Sequence, residues 1–243
     1  MSDLKYSKEY FEKYEEKGRY SGIERGRRLP QFKYWIRYAS RRHPKGARLL
    51  EVGCGMGYLS EVASKSFHYF GTDISVIPLL AAKGRVSGTD FIQSNAMMLS
   101  FRQEAFEFIV AFDILEHTDK PESVIAEAYR VLRKGGSLIV TVPNTRSLGN
   151  RIKGGASGMV PSMHMDPTHV SLLSPEKWKE LFRKSGFQIV RFHSDTLWDL
   201  PYSRKVPIHL QKLVLIPFNL AVSVLFGSLP WPIGENLVFV CKK

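Results

Sequence analysis

Short apolar runs alternate with longer amphipathic segments through most of this 243-residue chain. The apolar runs are bounded by glycine, proline or polar residues, which is typical of strands buried on both faces of a sheet. Apolar residues in the longer segments recur every three or four positions, as on one face of a helix. Strands are predicted at 48–52, 68–72, 90–93, 106–111, 137–142, 188–193 and 237–242, and helices at 6–17, 30–42, from 58, from 78, 121–132 and 175–185.

This alternation predicts an α/β fold, with a seven-stranded, mainly parallel sheet and helices on both faces. Two connections are too long for such a fold, at 145–174 and 195–236. Ligands of parallel sheets bind beyond the carboxyl ends of the strands, where long loops build binding sites. We therefore predict a helical lid at 1–46 and a ligand-binding domain at 47–243, with the two insertions as part of a cap.

A glycine-rich turn follows the first predicted strand, in the segment LLEVGCGMG. Gly53, Gly55 and Gly57 allow a ligand to approach the backbone closely, and Asp73 ends the next strand. An acidic residue in that position accepts hydrogen bonds from both ribose hydroxyls of a nucleoside. The spacing disfavours NAD, whose G-x-G-x-x-G fingerprint would need a glycine at Tyr58. An adenosine-type cofactor other than a dinucleotide is predicted.

Two further segments, FEFIVAFDILEHTDKP and AYRVLRKGGSLIVTVPN, extend the pattern beyond the glycine turn. With E-x-G-x-G-x-G at 51–57, they resemble the class I methyltransferases that use S-adenosylmethionine (SAM), in the broad group that includes quinone-biosynthesis and related small-molecule enzymes. The resemblance covers about 49–192 and resumes at the last strand. It implies a Rossmann-like methyltransferase fold, SAM as cofactor and S-adenosylhomocysteine as product.

The resemblance also implies a set of cofactor-binding residues in the strand-end loops and the N-terminal helices. Asn95 stands where relatives often carry an Asp toward the adenine amine, and its amide oxygen accepts the same hydrogen bond. The implied residues are Glu51, Gly53, Cys54, Gly55, Gly57, Asp73, Ile74, Asn95, Ala96, Phe112, Asp113 and Tyr20.

Methyl transfer to an oxygen requires removal of its proton, which a neutral imidazole performs near pH 7. His117 follows strand 4, and His164 and His169 lie on either side of Asp166 in the first insertion. All three are candidate bases, with loop capping or orientation as the alternative role of His117. No metal is predicted, because Pro167 prevents the one-turn helical spacing of a metal-binding histidine pair.

The pattern therefore favours transfer of a methyl group to a small-molecule, lipid-linked or sugar acceptor, with oxygen as the favoured atom. Two alternatives stay open: a non-catalytic adaptor that binds SAM or RNA, and an NAD-dependent oxidoreductase. Nucleic acid is a disfavoured substrate, because residues 113–116 read DILE and not the Asn/Asp-Pro-Pro-aromatic turn of amino-methylating enzymes. That loop also lacks a cysteine nucleophile.

Charge and hydropathy raise the question of an acidic partner. The net charge is +12, and residues 1–46 carry 13 Lys/Arg against 6 Asp/Glu. Such a patch suits nucleic acid, anionic lipid or an acidic substrate, while a solvated helix face is the alternative.

Residues 213–234 carry no charge, which predicts a packed lid first and a peripheral membrane contact through 213–231 second. The polar start and the two cysteines, with no disulfide framework, predict a cytoplasmic location with peripheral membrane association as an option.

Overall fold

One seven-stranded sheet organises the computed structural model, which describes residues 22–154 and 159–243. In chain order the strands are β1 (Arg48–Val52), β2 (His68–Asp73), β3 (Asp90–Gln93), β4 (Phe106–Phe112), β5 (Leu132–Pro143), β6 (Gln188–Ser194) and β7 (Asn236–Lys242). Their order across the sheet is β3-β2-β1-β4-β5-β7-β6. The pairs from β3 to β5 are parallel, and β7 runs antiparallel to both β5 and β6. The predicted fold class is confirmed.

Helices lie between most strands and cover the sheet. They are α1 (Gly22–Ser40), α2 (Ser60–Ala63), α3 (Val76–Lys83), α4 (Pro121–Val131), α5 (Leu148–Gly154), α6 (Ser162–Met165), α7 (Pro175–Lys184) and α8 (Ile208–Leu225), with a 3-10 turn at Leu115–His117. The helix predicted at 6–17 lies outside the described residues.

The boundaries differ most from the prediction at two elements. Helix α1 begins eight residues before the predicted start, at Gly22 instead of position 30, and contains Pro30. Strand β5 begins at Leu132, whereas the prediction ended a helix at 132 and began the strand at 137. Leu132 pairs with Phe106, and a register shift follows before Ser137 pairs with Phe108. A β-bulge of this kind absorbs extra residues in one strand, and apolar periodicity alone does not report it.

Successive residues of each strand point to opposite faces, so the sheet separates two apolar layers. One layer contains Leu50 of β1 and Trp178 of α7. The other contains Leu49 of β1 and Trp35 of α1. Trp35 is only 1% exposed, so the described part of the predicted lid at 1–46 is a layer of the same core.

Candidate active site

The glycine turn after β1 has the backbone shape that only glycine adopts readily. Gly53 has φ +72°, and a Cβ there would lie 1.9 Å from the Ile114 side chain. Gly55 has φ +48° and nothing within 4 Å of the position of a Cβ. The backbone at Gly55 is therefore open on the side of the Cβ position, which is compatible with the predicted cofactor turn. Gly53 is therefore needed for close packing against Ile114, whereas Gly55 leaves open space beside the backbone.

Buried polar groups support this turn from behind. Glu51 is 5% exposed and accepts a hydrogen bond from the Tyr69 hydroxyl. Burial raises the pKa of Glu51 to about 8, and the nearby Asp73 charge adds to the effect. Cys54 is buried as well, and burial raises the pKa of its thiol. Both residues therefore shape the turn from the protein interior, and a buried neutral thiol is a poor nucleophile.

Asp73 closes the turn at the end of the neighbouring strand. Its Oδ2 accepts a hydrogen bond from the Gly55 amide at 2.9 Å, and its Oδ1 accepts one from the Ser75 amide at 3.0 Å. Burial raises the pKa of the carboxyl, while these backbone donors act in the opposite direction. A carboxylate has about four accepting lone pairs, so it retains capacity for the two ribose hydroxyls.

Asn95 follows β3 at the same edge of the sheet. Its Oδ1 accepts a hydrogen bond from the Met97 amide at 2.9 Å, which closes a local turn. Ile74 and Ala96 are half-buried beside Asp73 and Asn95 in the chain. The structure therefore brings the loops after β1, β2 and β3 to one edge, as the parallel order of these strands requires.

A small polar pocket lies at the carboxyl ends of β4 and β5. Asp113 lines this pocket and has φ +54°, an unusual conformation for a residue other than glycine. Its carboxylate accepts hydrogen bonds from Arg28 of α1, from Thr141 at 2.7 Å and from Asn236 at 3.3 Å. Phe112 stacks on Phe32 with the ring centroids 5.6 Å apart. The remaining lining residues are Gln31, Asp195, Thr196 and Ser223.

A second polar group surrounds His117, the last residue of the 3-10 turn. Thr168 donates its hydroxyl proton to Asp166 Oδ1 at 2.5 Å, so His117 Nδ1 donates to Thr168 Oγ1 at 2.9 Å. Burial lowers the pKa of His117 to about 4, with His169 nearby adding to the effect. The imidazole is therefore neutral at physiological pH, and Nε2 is its basic nitrogen.

His169 lies against His117, with ring centroids 4.8 Å apart. Its Nδ1 donates to the Met163 carbonyl at 2.7 Å, so Nε2 is also the basic nitrogen of this ring. Glu116 is 1% exposed, and its Oε2 has no hydrogen-bond partner within the described ranges. Burial, followed by the charge of Asp113, raises the pKa of Glu116 well above its usual range. The result is a cluster of one buried carboxyl and two half-buried imidazoles.

Ligand atoms of Glu116, His117 and His169 lie within 4.8 Å of one another. Two imidazoles and a carboxylate are donors that zinc and related ions accept. The sequence argument against a metal considered a helical pair within 164–169, whereas this cluster combines the β4 loop with the first insertion. Proline at 167 therefore does not exclude it.

Two predicted site residues, His164 and Tyr20, are not among the described residues of either polar group. His164 is exposed on α6 and is outside the cluster. Tyr20 lies outside the described residues. Arg28 is the basic side chain that the described part of the N-terminal segment brings to the site. The sequence shows Arg28 within a basic run, but it does not indicate which arginine of that run reaches the site.

Several site residues carried no local signal. Asn236 starts the antiparallel β7 beside the carboxyl end of β5, where Pro143 pairs with it. Thr141, Asp195 and Ser223 come from three further segments. Only the strand order brings them to Asp113, because no motif or spacing connects them.

Comparisons with known proteins agree with this fold. A family model described as "Methyltransferase domain" matches residues 25–191. A Mycolicibacterium smegmatis protein named as a probable S-adenosylmethionine-dependent methyltransferase is 27% identical over 168 residues, or 66% of this chain and 62% of that protein. A ubiquinone biosynthesis O-methyltransferase of Hahella chejuensis is 36% identical over 105 residues, covering 41% of this chain and 44% of that protein.

A lipid-modifying relative and a solved structure extend the comparison. A phosphatidylethanolamine N-methyltransferase of Cereibacter sphaeroides is 31% identical over 119 residues, or 46% of this chain and 59% of that protein. The chain therefore matches between 44% and 62% of the length of these three relatives. The crystal structure of a SAM-dependent methyltransferase from Archaeoglobus fulgidus superimposes with a TM-score of 0.64 at 21% identity, over 96% of this chain and 100% of that one.

Proposed function

Because the chain belongs to the SAM-dependent methyltransferase family, we propose that it transfers the methyl group to an oxygen atom of a small, lipid-like acceptor. Family membership supplies the cofactor and the class of reaction. Related proteins are named for a ubiquinone-pathway O-methylation and for phosphatidylethanolamine N-methylation. The acceptor, its oxygen atom and the base that deprotonates it are the subject of the proposal.

The turn after β1 and the end of β2 fit the cofactor. SAM supplies an electrophilic methyl group on a sulfonium when it is bound. Gly55 leaves the backbone open to the cofactor, and the Asp73 carboxylate retains accepting capacity for the ribose. Phe112 and Asn95 border the same edge of the sheet. These residues hold and orient the donor, and in-line methyl transfer depends mainly on such positioning.

The observation that carries the proposal is the hydrogen-bonded chain from His117 through Thr168 to Asp166. These hydrogen bonds fix the Nδ1–H tautomer of His117, so Nε2 is the basic nitrogen of the ring. A positive charge that forms on the ring is stabilised by Asp166 through the Thr168 hydroxyl. An oxygen acceptor requires such a base, whereas a neutral amine already has a nucleophilic lone pair. His169 lies close enough to share this role.

Single histidine variants test the proposal directly. Turnover of a tritiated methyl group from SAM would be measured with fractionated lipid and small-molecule acceptors. His117→Ala is expected to lower turnover about 10²–10⁴-fold while SAM affinity stays near wild type. His164→Ala is the matched control, because this histidine is exposed and outside the cluster. Full turnover in both His117→Ala and His169→Ala would exclude a histidine base and favour an acceptor that is nucleophilic by itself.

The pH profile provides a second readout. Because the pKa of His117 is lowered to about 4, its base form persists well below the ordinary histidine range. The acidic limb of the rate profile should therefore lie below pH 6.5, and His117→Ala should abolish that limb.

Chelation separates proton transfer from metal chemistry at the same cluster. Dialysis against EDTA should leave turnover unchanged if His117 and His169 act as bases. A loss of turnover that zinc or magnesium restores would reassign Glu116, His117 and His169 as ligands.

A further inference from the structure

Helix α8 carries its apolar side chains on the outside. Such a helix normally buries its apolar stripe and exposes its polar face. Here only 11% of the helix is buried, although by length and composition it could cross a membrane. The large side chains that are at least 50% exposed on this helix are Leu213, Val214, Ile216, Leu220, Val224 and Leu225.

The inner side of α8 carries hydrogen-bonded polar side chains. Gln211 Oε1 accepts a hydrogen bond from the Tyr202 amide at 2.7 Å, and its Nε2 donates to the Val206 carbonyl at 2.6 Å. Asn219 pairs with both the amide and the carbonyl of Leu197. A rotation of the helix that buried its leucines would break these bonds. The outward apolar face is therefore fixed by the fold.

The surroundings of this face are basic. Residues 200–234 contain no Asp or Glu, and Lys205 and Lys212 are exposed near the start of α8. Helix α1 packs against α8, and its Lys33 and Arg37 are exposed. Apolar side chains next to exposed lysines and arginines match the acyl chains and headgroups of an anionic bilayer.

We propose that the outer face of α8 docks the enzyme onto an anionic membrane, with the helix lying in the plane of the interface. A spanning orientation conflicts with the contacts along the inner side, which tie the helix to 197–206. The chain also leaves β6 and returns to β7 of the same sheet. A second copy of the chain is the weaker occupant, because it would bring two basic surfaces together.

The position of α8 connects docking to the substrate. Ser223 on its inner side lines the polar pocket with Asp113 and Asn236. An acceptor with a polar head and an apolar tail would therefore be offered to the pocket by the bilayer itself. This consequence rests on the proposed function, while docking can be measured without turnover.

Vesicle flotation of the full chain tests docking. The probes are vesicles of phosphatidylglycerol with phosphatidylcholine, and vesicles of phosphatidylcholine alone. The wild type should float with the anionic vesicles, and more weakly at high salt. Leu213→Ser combined with Leu220→Ser should reduce partitioning by about tenfold or more. Lys205→Gln combined with Lys212→Gln should reduce it by about fivefold per lysine.

Leu80→Ser combined with Val190→Ser is the matched control. Both residues are exposed apolar side chains on other parts of the surface, at 64% and 43%. This variant should float like the wild type. Titration of every variant with SAM reports whether the cofactor site is intact, so failed docking is distinguished from a failed methyltransferase.

Three results would overturn the proposal. The first is a wild type that binds SAM but stays with the soluble fraction at low salt. The second is flotation that survives the serine changes in α8. The third is a dimer, measured by light scattering, that the same serine changes convert to monomers, since that would identify a second copy as the occupant.

Discussion

The glycine turn after β1 and helix α8 differ in how well the residue types match their surroundings. In the turn, each residue suits its local conformation: Gly53 has a positive φ and Cys54 is buried. In α8, leucines face solvent while Gln211 is buried. Both segments border the same candidate active site, since Ser223 of α8 lines the Asp113 pocket.

This difference in burial shows which of the two segments is explained by packing within the chain. Folding alone explains Gly53 and the carboxyl behind it, because a Cβ at Gly53 would overlap Ile114 and Glu51 accepts a hydrogen bond from Tyr69. Folding alone does not explain α8, because burial of its outer face would lower the free energy and the chain leaves that face uncovered. The exposed apolar side chains of α8 therefore indicate a binding partner outside the chain.

The largest effect on stability is expected from a substitution in the glycine turn. Gly53→Ala should lower the free energy of unfolding by about 2–5 kcal/mol, since it combines a left-handed backbone penalty with overlap at Ile114. Thermal and urea unfolding would measure it. Gly135→Ala is the control, because Gly135 also has a positive φ (+73°) but nothing within 4 Å of its Cβ position. Equal losses in the two variants would contradict the packing role of Gly53.

The polar inner side of α8 gives the next largest effect. Asn219→Leu should destabilise the fold by about 1–3 kcal/mol, although it makes the helix more apolar, because it leaves the amide and carbonyl of Leu197 without their partner. Leu220→Ser on the outer side should change stability by less than about 0.5 kcal/mol. The comparison between the two regions fails if Leu220→Ser proves the more damaging change in urea unfolding.

A pH-dependent effect is expected at Glu51, behind the turn. Its pKa is about 8 in the folded chain against an ordinary value of 4.5, so the folded state binds more protons between these values. The stabilising contribution is complete below pH 4.5 and is lost as the pH rises through 8.

Glu51→Gln keeps a neutral side chain at every pH and isolates this contribution. The stability of the wild type relative to Glu51→Gln should fall as the pH rises from about 5 to 8, by at most about 1.4 kcal/mol per pH unit. Urea unfolding across that range would measure the difference. A difference independent of pH would mean that Glu51 is already ionised in the folded chain.

The amino-acid sequence determined the sheet, the glycine turn after β1 and the class of chemistry. Strand alternation, the spacing of Gly53, Gly55 and Gly57, and Asp73 at the next strand end are local features, and a parallel α/β fold brings strand ends together wherever they occur. The candidate histidines were also visible, although the sequence could not separate His117 and His169 from the exposed His164.

Only the tertiary structure decided which distant groups meet and which way α8 faces. Arg28, Asp113 and Asn236 converge because α1 packs on the sheet and β7 lies beside β5. The uncharged composition of 213–234 predicted a packed lid, whereas hydrogen bonds to Gln211 and Asn219 hold the polar side of α8 inward. Hydropathy measures how much a segment gains from burial, and it does not say which face the neighbouring chain will cover.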